Sequence, residues 1–219
     1  MIIVIEGTDG SGKQTQSELL FNYLKENNYN VKKQSFPNYE SNSSTLVKMY
    51  LNGEFGGLYD LNAKQSSTLF AVDRLATMIS YKDFLKSGGI LILDRYVSSN
   101  ILHQASKIDD DNERGEFIRW LDNFEFEDLK LPRPDITFFL DLKPNLSQKL
   151  REARHELKSG TKRDINESDN QYMKKCYDLG VNTANSLNWQ VITCYNGDEI
   201  KTIEEIQEEI RKNVLNKLK

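Results

Sequence analysis

The stretch Ile2-Ile-Val-Ile-Glu-Gly-Thr-Asp-Gly-Ser-Gly-Lys13 decides the fold. A short apolar run closed by glycine reads as a central strand of a parallel sheet. Gly7 to Gly12 reads as a loop. From Lys13 to about Asn27 the apolar residues Leu19, Leu20, Tyr23 and Leu24 fall at helical spacing. Strand, glycine loop and helix in this order are the setting of the Walker A phosphate loop. Gly7, Thr8, Asp9, Gly10, Ser11, Gly12 and Lys13 match its first seven positions. Glycines let backbone N–H groups turn toward phosphate oxygens, and the helix that follows aims its positive end at the same point. Lys13 adds a compact cation. A glycine turn with a surface lysine is the plainer alternative, and the flanking strand and helix argue against it. A dinucleotide fingerprint does not fit, because Thr15 stands where that pattern needs a small residue. Gln14 occupies the place of the hydroxyl residue that usually contacts magnesium, and Thr15 comes one residue late. The magnesium shell is therefore expected to draw on Asp94, Asp9 or water.

Working outward, strands and helices alternate. Further strands are expected at 30–36, 90–93, 136–140 and 190–194. Helices are expected at 43–51, 62–86, 98–107, 113–123, 146–157, 169–187 and 202–215. The helix over 62–86 carries Val72, Leu75, Ala76 and Ile79 as its apolar stripe. This pattern predicts an α/β, three-layer fold: a central parallel sheet of about five strands with helices on both faces. No linker divides the chain, so residues 1–219 are read as one domain. Ser159-Gly160-Thr161 is a polar break.

A chain of 219 residues with 38% apolar content suits one such core. Its net charge of −4 argues against a general nucleic-acid binder, which needs a basic surface. Cys176 and Cys194 make no disulfide framework and lack C-x-x-C spacing, so they read as packing residues in a reducing, cytoplasmic setting. No apolar run is long enough to span a bilayer, and Ile2–Ile5 is too short for a signal peptide.

Asp94-Arg95-Tyr96 follows a continuous apolar strand. Ligands of open α/β sheets bind outside the carboxyl ends of the strands. An acid there meets magnesium directly or through water, and an arginine beside it grips phosphate through paired hydrogen bonds. A purely structural Asp–Arg pair is the alternative.

The chain resembles the thymidylate kinases, a family of P-loop nucleoside monophosphate kinases. The resemblance rests on Ile5 to Gln16, Phe36-Pro37, Leu69-Phe-Ala-Val-Asp-Arg74, Leu93-Asp-Arg-Tyr-Val97 and Leu131-Pro-Arg-Pro-Asp135, in order and spacing. It implies transfer of the γ-phosphoryl group of ATP to dTMP, with magnesium, and a homodimer. It also implies roles. Lys13, Arg95 and Asp94 fall in the catalytic centre. Asp9 lies near the sugar 3′-hydroxyl, and Phe36 lines the acceptor pocket. Phe70 and Arg74, four apart on one helix, face the same way. The ring suits stacking on a pyrimidine, and the guanidinium, which only donates, suits the 4-oxo group of thymine and not the amino group of cytosine. The bland alternative makes Phe70 core and Arg74 a surface ion-pair partner. Asn100, His103 and Gln104 share a helical face, and the amide of Asn100 or Gln104 suits the thymine imide. Asn38 stands where a basic residue often follows Phe-Pro in this family. His103 stands where an aromatic often excludes a 2′-hydroxyl, and it can do so by bulk.

One branch of the family places an arginine inside the phosphate loop, directly after the aspartate. Here that position is Gly10. The other branch uses a basic lid, and residues of about 151–165, with Arg151 and Arg154 three apart, fit a mobile lid; Arg154, nearer the break, is slightly favoured. A solvated helix with Arg–Glu pairs is the alternative. Two competing functions remain open: a deoxynucleoside kinase or other nucleotide kinase, and a nucleotide-binding switch without turnover.

Overall fold

A computed structural model describes residues 1–157 and 169–218, and for 154–157 the backbone alone. Five parallel strands form the central sheet: β1 (Ile2–Glu6), β2 (Val31–Ser35), β3 (Ile90–Asp94), β4 (Ile136–Asp141) and β5 (Gln190–Thr193), in the order β2-β3-β1-β4-β5. The continuous apolar runs take the middle. All of β1 and β3 is buried, whereas the polar run Lys32-Lys33-Gln34 lies on edge strand β2. Register pairs Ile5 with Asp94, so β1 and β3 end together and hand the phosphate loop and Asp94-Arg95 to the same end of the sheet.

Successive side chains of β1 serve opposite faces. Ile3 and Ile5 pack with Leu20 and Leu24 of α1 (Lys13–Glu26) and with Ile206, Ile210 and Val214 of the closing helix, Ile203–Leu218. Ile2 and Val4 pack on the other face with α3 (Ala63–Ile79), α5 (Val97–Gln104) and α6 (Asp111–Asp122), through Met78, Ile101, Phe117 and Leu121. Between α1 and α3 lies α2 (Thr45–Leu51), and α4 (Lys82–Lys86) precedes β3. Two further helices, α7 (Pro144–Leu157) and α8 (Asn170–Ser186), separate β4 from β5; the closing helix is α9. Cys176 and Cys194 are buried free thiols. Among the described residues no helix is long and apolar enough to cross a membrane.

Three features depart from the sequence reading. The single helix expected over 62–86 is two, α3 and α4, broken at Ser80 and Tyr81, with a capping box of Asn62 and Gln65 at its start. Most of the apolar stripe of α3 does not face the core: Val72 is 46% and Ile79 65% exposed, while Asp73 and Arg74 are buried. The sheet face is met by Ala63 and Met78, with Leu75 of the stripe partly buried against them. Third, α6 runs on into a π-turn over Asn123–Asp128, and a small hairpin, Tyr195–Asn196 with Glu199–Ile200, precedes α9.

Candidate active site

A cavity of about 720 Å³ opens at the carboxyl ends of β1, β2 and β3, a size suited to a small-molecule ligand. Asp9, Gly10, Gly12, Lys13, Gln14 and Thr15 form one end, and Phe36, Phe70, Arg74, Asn100, His103 and Gln104 the other; Asp94 and Arg95 stand between them. Of the residues expected in the phosphate loop, Gly7, Thr8 and Ser11 lie behind this wall, buried.

At the loop end, Gly12 begins α1 in the left-handed conformation, at φ 91°, which glycine adopts without strain. The first turn of α1 carries no acidic residue, so its positive end is left to an outside anion. Gly10 is needed for a different reason. At φ +85° a Cβ would lie 2.6 Å from the Ser147 carbonyl oxygen and 2.9 Å from Arg151 Cγ, because α7 packs against the loop.

The cations here are held by the protein itself. Lys13 Nζ donates to the Thr8 carbonyl at 2.8 Å and lies 3.8 Å from Asp9. Burial, with Arg95 adding to it, pushes the Lys13 ammonium down to about 8 against the pull of Asp9, Asp94 and Glu6. Arg95 has φ 69°, a strained backbone for a residue with a side chain. Its guanidinium pairs with Asp9 and lies 3.9 Å from Glu6; its expected neighbour in sequence, Asp94, is not its hydrogen-bond partner. Burial would raise the Asp9 carboxyl, but Arg95, Lys13, His103 and Arg151 together hold it well below the usual carboxylate range. Burial likewise opposes charge on Arg95, and Asp9, Glu6 and Asp94 more than restore it. Arg151 donates from Nη1 to the Asp9 carbonyl at 2.9 Å, which brings α7 onto the loop. The side chain of Arg154, and residues 158–165 of the expected lid, lie outside the described residues.

Glu6 was not singled out by sequence, yet it anchors this end. It is fully buried, accepts from Gly7 N at 3.0 Å, and accepts from the Ser98 and Ser99 hydroxyls at 2.6 and 2.8 Å. It thereby ties the end of β1 to the start of α5.

At the far end, Phe70 meets Tyr50 edge-on, with ring centroids 5.9 Å apart, and turns its remaining surface to the cavity. Arg74 is neither free nor a surface group. It is 2% exposed and makes a bidentate pair with Glu125 of the π-turn, Nε to Oε2 at 2.6 Å and Nη2 to Oε1 at 2.5 Å. Asn100 Nδ2 donates to the Ser67 carbonyl at 3.3 Å and to Glu125 Oε1 at 3.2 Å. Gln104 Oε1 accepts from the Ser66 hydroxyl at 2.7 Å. His103 Nε2 sits 3.1 Å from Arg95 Nη1 and Nδ1 3.7 Å from Cys176 Sγ. Because arginine only donates, Nε2 is the acceptor and Nδ1 carries the proton. Burial, and then Arg95, push His103 down to about 3, so the ring is neutral.

Asn38 does not face the cavity as a cation would; its backbone N–H and side chain bond Asp73 and Thr77 of α3 at 2.8 and 3.2 Å, holding the Phe36-Pro37 turn. Tyr39 and Ser99 also line the cavity and were missed, since neither stands in a motif. Among the described residues no group of three or more His, Cys, Asp or Glu gathers in a way that could hold a metal.

Sheet order, the phosphate loop and the cavity at the carboxyl ends of the strands define a P-loop α/β protein. The sequence model described as Thymidylate kinase matches residues 5–210. A thymidylate kinase of Mycobacterium tuberculosis is 31% identical over 176 residues, 80% of this chain and 81% of that one. One of Plasmodium falciparum is 30% identical over 215 residues, 97% and 88% of the two chains. The solved thymidylate kinase of Candida albicans superposes with a TM-score of 0.75 at 25% identity, covering 99% of this chain and 91% of the other. The chain belongs to the thymidylate kinase family.

Proposed function

We infer that the protein transfers the γ-phosphoryl group of ATP to dTMP, giving ADP and dTDP. The observation that carries this is the pairing, in one cavity, of a phosphate loop with a ring-binding end that offers an aromatic face and a fixed arginine. A nucleotide-binding switch needs only the first. A deoxynucleoside kinase would direct its acceptor's hydroxyl to the loop, whereas here Arg95 waits beside it with a charge suited to an acceptor phosphate.

The roles follow from position. The loop residues 7–15 cradle the phosphates of ATP, with Lys13 on the outermost. Arg95 exchanges its contact with Asp9 for the acceptor phosphate, which frees Asp9 for the sugar hydroxyl or the metal. Phe36 lines the acceptor pocket, Phe70 stacks on the base, and Arg74 donates to the 4-oxo group. Asn100 and Gln104 meet the imide, and His103 fills the space beside C2′. Asp94 and Asp9 both line the cavity beside the loop. They suit magnesium, which takes one or two carboxylates alongside substrate phosphates and neutralises charge on the transferring group. Arg151, with Arg154, supplies a cation to the moving phosphoryl group from the lid of about 151–165, within a single kinase domain of residues 1–219.

The protein acts as a cytoplasmic homodimer. The outward apolar stripe of α3, with Val72 and Ile79 exposed, supports self-association, and a monomeric mass by sedimentation at micromolar concentration would contradict it. The function itself is tested by a coupled assay with ATP and magnesium against dTMP, dUMP, dCMP, dGMP, dAMP and thymidine. Preference for thymidine over dTMP, or no turnover at all, would overturn it.

A further inference from the structure

We propose that Glu125 sets the base specificity of the cavity, by holding Arg74 as a fixed donor and Asn100 as a fixed acceptor. This rests on the reading above, in which a pyrimidine lies against Phe70.

Glu125 does not itself line the cavity. It is fully buried in the π-turn, and its two carboxylate oxygens are shared between two residues that do line the cavity. Consider Arg74 first. Guanidinium has five N–H groups. Glu125 takes Nε–H and one hydrogen of Nη2. The two hydrogens on Nη1 and the other on Nη2 remain. Burial of Arg74 in this place requires the opposing charge, since a lone buried cation is strongly unfavourable. The bidentate carboxylate therefore fixes the plane of the Arg74 fork.

Asn100 is the more informative partner. An amide side chain turns over easily, and its two ends have opposite hydrogen-bonding character. Here Nδ2 donates both hydrogens, one to the Ser67 carbonyl and one to Glu125 Oε1. Both neighbours accept only. Turning the amide over would press Oδ1 against two acceptors. Oδ1 is thus the atom left for a ligand.

The cavity consequently offers a donor from Arg74 and an acceptor from Asn100. A pyrimidine with a 4-oxo group and an N3–H presents the complementary pair. Cytosine presents the reverse, a 4-amino donor and an N3 acceptor, and meets a mismatch at both positions. Uracil and thymine present the same edge and differ only by a methyl group, which this device does not sense.

Glu125→Gln tests the assignment. The substitution keeps shape, removes the charge, and supplies an N–H to which a turned-over Asn100 can accept. The ratio of kcat/KM for dTMP over dCMP is expected to fall about tenfold or more. The ratio for dTMP over dUMP stays unchanged, and so does the KM for ATP. A role in packing alone would lower activity on all three acceptors alike, and that result overturns the proposal. So does a folded variant with an unchanged dTMP to dCMP ratio. If the wild-type enzyme fails to phosphorylate dTMP, the functional reading falls and this inference falls with it. If the wild type prefers dTMP and the variant prefers it equally, this inference alone falls. A measurement on the wild type does not depend on the variant folding. The side-chain N–H protons of Asn100 in the nucleotide-free enzyme, followed by NMR, are expected to exchange with water more slowly than those of exposed Asn52. Equal exchange rates overturn the proposal.

Discussion

The two ends of the cavity are built in opposite ways. The phosphate end comes mostly from one continuous piece of chain, Gly7 to Thr15, and two of its cations reach backbone there: Lys13 the Thr8 carbonyl and Arg151 the Asp9 carbonyl. The base end is assembled from side chains of α3, α5 and the π-turn, and it depends on a pair separated by 51 residues in sequence. Each cation at the phosphate end rests on an internal partner, Lys13 on the Thr8 carbonyl, Arg151 on the Asp9 carbonyl and Arg95 on Asp9, and on the proposed function an incoming phosphate replaces it. Charge at the base end is locked, because Arg74 and Glu125 are both buried and bidentate. Chemistry calls for the first arrangement and selectivity for the second.

The comparison predicts separable losses. Lys13→Ala is expected to cut kcat by about 10²–10³-fold, the range for removing one preorganised charge from a transition state. Its dTMP affinity, measured by calorimetry, should stay near that of the wild type. A matching loss of dTMP affinity would mean that the two ends are not independent.

Removing Arg151 together with Arg154 should lower kcat by at least about a hundredfold with much smaller changes in either KM, as for a contact made mainly in the transition state. A double variant that keeps most of its kcat would leave Lys13 and Arg95 as the sufficient cations.

Arg74→Ala reports on the locked end. Losing a hydrogen bond from a charged donor should weaken dTMP by about 1.5–3 kcal/mol while leaving ATP nearly unaffected. Because Glu125 is left buried without its partner, Tm should fall too. Unchanged dTMP affinity would show that the base lies elsewhere.

A further prediction concerns pH. His103 is pushed down to about 3, below its unfolded value of about 6.5. The unfolded chain therefore binds the proton first, so the contribution of His103 to stability is complete above about pH 6.5 and drains away as pH falls toward 3. The decline in Tm between pH 6.5 and 4 should be shallower in His103→Gln. Equal slopes would mean that His103 is not held neutral.

The same contrast governs what could be read from sequence. The phosphate end was legible because strand, glycines, lysine and helix follow one another, and local spacing fixes their geometry. The inner strands were legible as unbroken apolar runs. For Arg74 the choice lay between base donor and surface ion pair, and the structure combines elements of each: it lines the cavity and is paired, but the pair is buried. Glu125 could not be found, because Phe124-Glu-Phe-Glu-Asp128 stands in no motif and beyond the helix expected to end at Asn123. Only the long-range return of the π-turn to α3 gives it a partner. The stripe of α3 misled for a related reason. Helical periodicity identifies an apolar face but not what covers it, and here the buried face carries Ser66, Ser67, Asp73 and Arg74.

Gly10 carries a historical consequence. The family resemblance includes chains with an arginine at this place in the loop, and here α7 occupies the room such a side chain would need, within 2.6 Å of a built Cβ. A side chain at position 10 and the present packing of α7 therefore exclude each other in space. A lineage with this packing cannot cross to the other design by one substitution at Gly10. The helix carrying Arg151 must first withdraw, and that gives up its contact with the Asp9 carbonyl.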